Sequence, residues 1–93
     1  MAYGSVTVTD TATLIIPANT DRQSHLLMNT EVANAIYVGP DSSITTANGF
    51  RLGPGNQLLE DKAHAGFWSG DVYGIAGAAL TADVRYWTRA HKS

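Results

Sequence analysis

The sequence predicts an all-β fold: a small antiparallel β-sandwich or jelly-roll-like barrel of about seven to eight short strands. Three observations carry that reading. Apolar residues recur at every second position in short runs, the period of a strand with one face buried. Turn residues interrupt those runs every few positions, most densely between Gly39 and Gly55. No run between two interruptions is long enough to hold a helix in water.

The elements follow in order. Ser5 to Thr9 alternates Val6 and Val8 with hydroxyl side chains, a half-buried strand. The wider segment 1–9, extended and rich in Thr and Val, is a candidate arm that could add to the edge of a neighbouring sheet. Ala12 to Ile16 gives a second strand with Leu14 and Ile16 inward and Thr13 and Ile15 on the other face. Pro17 to Arg22 is a loop, marked by proline and by polar side chains that bond their own backbone. Gln23 to Asn29 is the third strand, with Leu26 and Met28 on the core face; a helix competes, but the run is too short between its loops. Ala35 to Val38 is the fourth, with Ile36 and Val38 inward.

The middle of the chain is a succession of reversals. Pro40 in Gly39-Pro40-Asp41 ends the fourth strand because it has no amide hydrogen for a ladder. Asn48-Gly49 tolerates two successive positive φ values and predicts a tight hairpin-like reversal. Gly53-Pro54-Gly55 has proline where φ is preset and glycine where φ must be positive, the type II pattern. Gln57 to Glu60 then forms a short strand, Asp61 to Ala65 a polar connection, and Gly66 to Gly70 an aromatic pair between glycines. Asp71 to Ala76 alternates Val72, Gly74 and Ala76 against Tyr73 and Ile75. After a small-residue turn, Ala82 to Thr88 sets Val84 and Tyr86 against Arg85 and Trp87. The tail 89–93 is basic and is expected to fray.

Size and composition narrow the function. The 93 residues make one domain, and a chain this short buries roughly 60–65% of its unfolded surface, so its core is thin. There is no cysteine to supply disulfides, so oligomerisation or docking on a larger body is the remaining source of buried area. Charged residues are 15% of the chain against about 25% in an average domain, which suits a surface packed against neighbours. No basic run invites nucleic acid. No apolar run spans a membrane, and the first residues lack a signal peptide's pattern, so the chain is expected to be made in the cytoplasm.

No catalytic constellation can be named, and the expectation is a protein that is not an enzyme and carries no metal or cofactor. His25, His64 and His91 have no shared-site spacing and read as surface or satisfied histidines. Glu60 and Asp61 are neighbours in a strand and point to opposite faces. The glycines from Gly49 to Gly55 lack the Lys-Ser/Thr ending of a phosphate loop. The aromatics at Phe67, Trp68, Tyr73, Tyr86 and Trp87 either fill the core, anchor an interface or stack on sugar rings. Core or interface is preferred, because no Asp/Asn/Arg cluster flanks them.

Three motifs, Ile36-Tyr37-Val38-Gly39, Thr45-Thr46-Ala47-Asn48-Gly49 and Asp71-Val72-Tyr73-Gly74-Ile75-Ala76, are distinctive together. With the sequence around them, from Val6 to Thr88, the chain resembles a group of small virion proteins of tailed bacteriophages. The resemblance implies a structural capsid decoration (cement) or head-fibre protein, β-sandwich in fold and homotrimeric, on the capsid exterior and bound across subunits of the major capsid protein. Partner contacts are then expected at Val6, Val8, Phe67, Trp68 and Tyr73. The alternative is a glycan or host-surface binding module of a fibre or tail protein, using Phe67, Trp68 and Tyr73.

Overall fold

The computed structural model describes residues 2–19, 22–61, 70–78 and 80–90. They form eight strands: β1 Ala2–Val8, β2 Thr13–Ile16, β3 Arg22–Asn29, β4 Ile36–Gly39, β5 Phe50–Leu52, β6 Gln57–Asp61, β7 Val72–Ala76 and β8 Ala82–Ala90. Sheet I has the order β1-β8-β3-β6 and sheet II the order β2-β7-β4-β5. Every pairing is antiparallel. The first strand pairs with the last, the second with the seventh, the third with the sixth and the fourth with the fifth. The chain is therefore one long hairpin, folded at the β4–β5 connection and rolled into two layers, which is jelly-roll topology. This is the all-β sandwich the sequence predicts.

Inward side chains of both sheets meet in one core. Val8, Leu27, Ala82 and Val84 come from sheet I and Ile15, Ile16, Ile36, Val38, Leu52, Val72 and Ala76 from sheet II. Strict alternation produces this in β4 and β7, whose buried positions are every second residue as read from the sequence. Val6, Leu58 and Tyr86 pack against the core's margin.

Two strands depart from the expected phase. In β2 the register with β7 shifts between Leu14, opposite Tyr73, and Ile16, opposite Val72, leaving Ile15 as an extra residue. A bulge of this kind turns two consecutive side chains inward. Ile15 and Ile16 are both buried and Leu14 is exposed, so Leu14 is not a core residue.

In β3 the inward set is His25, Leu27 and Asn29, not Leu26 and Met28. Asn29 sits on this face because its side-chain groups are bonded there. Asn29 Nδ2 donates to the carbonyl oxygens of Asn34, Leu52 and Gly53 at 2.8, 3.1 and 3.3 Å, and Oδ1 accepts from the Glu31 amide. Arg22 opens β3 instead of closing a loop, and its buried guanidinium donates to the carbonyls of Pro17 and Gly70. His25 is buried as well, so of its two readings, surface or satisfied, the surface one does not hold.

The ends and turns need correction too. Residues 2–8 are not a free arm: β1 pairs with β8 from Ala2↔Thr88 to Val8↔Ala82, and Val8 is fully buried. Arg89 and Ala90 belong to β8 rather than to a tail. Between Asn48-Gly49 and Gly53-Pro54-Gly55, Phe50–Leu52 form a strand, β5. The Gly53-Pro54-Gly55 turn forms as read, with Gly55 at φ 76° and the Asn56 amide donating to the Gly53 carbonyl. Asn48-Gly49 does not make the positive-φ hairpin. There, Thr45 accepts from the Gly49 amide, and a Cβ on Gly49 would stand 2.6 Å from Tyr37 Cβ, so glycine is required by space rather than by φ.

Candidate functional site

Alternation that buries Val8, Leu27 and Val84 sends their neighbours to the outer face of sheet I. Register then aligns those neighbours in rows across the sheet. Trp87 of β8 lies opposite Tyr3 of β1 and Leu26 of β3, and Leu26 lies opposite Leu59 of β6. One row thus runs Tyr3, Trp87, Leu26, Leu59 over all four strands; Tyr3 is 82%, Leu59 68% and Trp87 52% exposed, with Leu26 half-buried among them. The adjacent row is Ser5, Arg85, Met28, Gln57, with Met28 40% exposed. The row on the other side holds Arg89 and Ser24, with Asp61 next in register.

The face has relief. A hollow of about 460 Å³ lies between Tyr3, Leu26, Met28, Arg85 and Trp87, and a second of about 310 Å³ between Ser24, Leu26, Leu59, Trp87 and Arg89. Trp87 and Leu26 border both. Charge stays on the flanks, where Arg85 Nε meets Asp83 Oδ2 at 3.2 Å. Asp83 is itself held by β3's end, since Thr30 Oγ1 donates to its carboxylate and Glu31 accepts from its amide. An apolar strip with a polar rim is the make-up of a protein interface.

A second concave region is a cleft of about 680 Å³ between the sheets, with Leu27, Val38, Leu58 and Val72 among its walls and Asp41, Ser43 and Asn48 at its loop side. Leu58 belongs to β6 and Val72 to the start of β7, and the connection between these two strands lies outside the described residues. Its loop is internally bonded. Asp41 accepts from the Ser43 hydroxyl and amide, which holds its carboxyl below the usual carboxylate range. Among the described residues no three His, Asp or Glu side chains are grouped to hold a metal ion.

Of the contact residues expected from the sequence, the three within the described residues, Val6, Val8 and Tyr73, do not converge. Val8 is in the core and Val6 at its margin. Tyr73 is half-buried on the outer face of sheet II, in register with Leu14 and Gly39. Phe67 and Trp68 lie outside the described residues. Sequence reasoning missed the row on sheet I because it set Leu26 and Met28 inward. Tyr3 and Trp87 were the available signal: each holds the outward phase of a strand whose valines point in. Set against known proteins, the chain matches no family model, no curated protein and no solved structure.

Proposed function

We propose that this chain is a structural protein of a bacteriophage virion that assembles with itself, as a homotrimer, and decorates the capsid exterior by binding across subunits of the major capsid protein. The observation that supports an assembling role is the apolar row Tyr3, Trp87, Leu26, Leu59 across the outer face of sheet I, in which Tyr3, Trp87 and Leu59 are exposed. Large side chains left in water at this density mark surfaces that are covered in use. The jelly-roll topology and the low charge content agree with a packing role, and the phage assignment rests on the sequence resemblance.

Capsid binding is tested by sedimenting the purified chain with empty heads of the phage that carries it. Saturable recovery in the pellet is expected. A chain that stays in the supernatant at every ratio contradicts the decoration role. The glycan-binding alternative has less to stand on, since Tyr73, the aromatic of its three within the described residues, is half-buried between Leu14 and Gly39.

A further inference from the structure

We infer that the outer face of sheet I is covered by another copy of this chain, the β1–β8 half of one copy lying on the β3–β6 half of the next. This rests on the reading that the chain assembles with itself and adds which surface does so and in which orientation.

The two halves are chemically unlike. The β1–β8 half presents the aromatics Tyr3 and Trp87 with Arg85 and Arg89. The β3–β6 half presents Leu26, Met28 and Leu59, with Ser24 and Gln57. Turning a copy about an axis parallel to the strands keeps each row at its own level and exchanges the halves. Tyr3 then meets Leu59 of the next copy and Trp87 meets Leu26, aromatic on aliphatic. Arg85 falls at the level of Met28 and Gln57, and Arg89 at that of Ser24 and Asp61. Among the described residues of these rows no cation meets a cation. An axis along the rows instead lays Trp87 on Trp87 and brings the Arg85 row onto the Arg89 row, setting like charges together.

The area fits the same occupant. With about 150–250 Å² for a whole aromatic side chain, the exposed parts of Tyr3, Trp87, Leu59 and Met28 leave on the order of 400 Å² of apolar surface in water. In a ring of three each copy gives its whole face, half to either neighbour, so the three contacts together cover on the order of 1,200 Å² of apolar surface, about 400 Å² in each, enlarged by the polar rows on either side. A ring of three about that axis, the homotrimer proposed above, satisfies these contacts with each half of a copy on a different neighbour.

Cysteine cross-linking tests this cleanly, because the natural chain has no cysteine. Tyr3→Cys and Leu59→Cys chains, each altered at an exposed position, are mixed in equal amounts, allowed to exchange and treated with a copper oxidant. Cross-linked pairs are expected in the mixture and not in either chain alone. Cross-linking of Tyr3→Cys with itself would overturn the orientation. A wild-type oligomer whose mass survives Trp87→Ser and Leu59→Ser, with no cross-link in the mixture, would overturn the surface and leave self-assembly standing. A wild-type chain that is monomeric throughout would remove both, and loss of head binding on Trp87→Ser in such a monomer would give the face to the capsid instead.

Discussion

The side-chain amide of Asn29 donates to the main-chain oxygen of Leu52 at 3.1 Å, joining β3 of sheet I to β5 of sheet II through the buried interior. Asn29 and the Gly53–Asn56 turn are also tied along the backbone, for the Asn29 amide donates to the Asn56 carbonyl and the Gly55 amide to the Asn29 carbonyl. A polar residue in a thin apolar core is stable here because its amide and carbonyl are both satisfied. Replacing Asn29 by Leu leaves the carbonyls of Leu52 and Gly53 buried without that donor. The expected loss is about 2–4 kcal/mol, read as a lower midpoint in urea unfolding with an unchanged slope. An unchanged midpoint would mean that the strap does not bear on stability.

The β2 bulge makes a prediction opposite to simple alternation. Ile15→Ala should cost about 2–4 kcal/mol, since Ile15 is buried. Leu14→Ala should fall within about 0.5–1 kcal/mol, as expected of an exposed side chain. Thermal unfolding of the two variants decides it, and equal shifts would argue against the bulge.

Two glycines are required for different reasons, and substitution separates them. At Gly49 any Cβ meets Tyr37 Cβ at 2.6 Å and the Thr45 carbonyl oxygen at 3.0 Å, so alanine and asparagine should both destabilise, by about 1–3 kcal/mol. At Gly55 no atom stands within 4 Å of a Cβ, and the obstacle is φ of 76°. There asparagine, which tolerates the left-handed region, should cost less than alanine. The comparison is one of unfolding midpoints, and a Gly49→Asn variant as stable as Gly55→Asn would contradict the steric reading.

Asp41 gives a pH-dependent prediction. Its carboxyl is held low by the hydrogen bonds from the Ser43 hydroxyl and amide. A depressed folded value contributes stability that is present above the unfolded carboxylate value, about 3.9, and is lost as pH falls through the folded one. Removing the hydroxyl in Ser43→Ala should raise the Asp41 titration toward the ordinary value. Carboxyl-carbon NMR between pH 2 and about 5 would follow it, and an unmoved Asp41 titration would count against the hydroxyl as the cause.

The two-layer fold was legible where a strand's pattern is unbroken. In β4 and β7 apolar residues alternate cleanly, and their burial follows; at Gly53-Pro54-Gly55 the turn chemistry admits one geometry. Phase failed where polar residues sit in the core. Nothing local in Q-S-H-L-L-M-N tells Leu27 with His25 and Asn29 from Leu26 with Met28, because the choice is made by carbonyls more than twenty residues away, at Leu52 and Gly53. The bulge at Ile15 is equally non-local, being a property of the pairing with β7. The row across the outer face of sheet I inherits both lessons. Each of its residues is visible in the sequence, but their alignment across β1, β8, β3 and β6 exists only once the hairpin has rolled up.

Light scattering on the full chain, over a range of concentrations, tests the self-assembling role most directly. A mass three times the 9.9 kDa of one chain is expected, falling to a single chain in Trp87→Ser with the β-sheet circular dichroism retained. A wild-type mass of one chain at every concentration would contradict it.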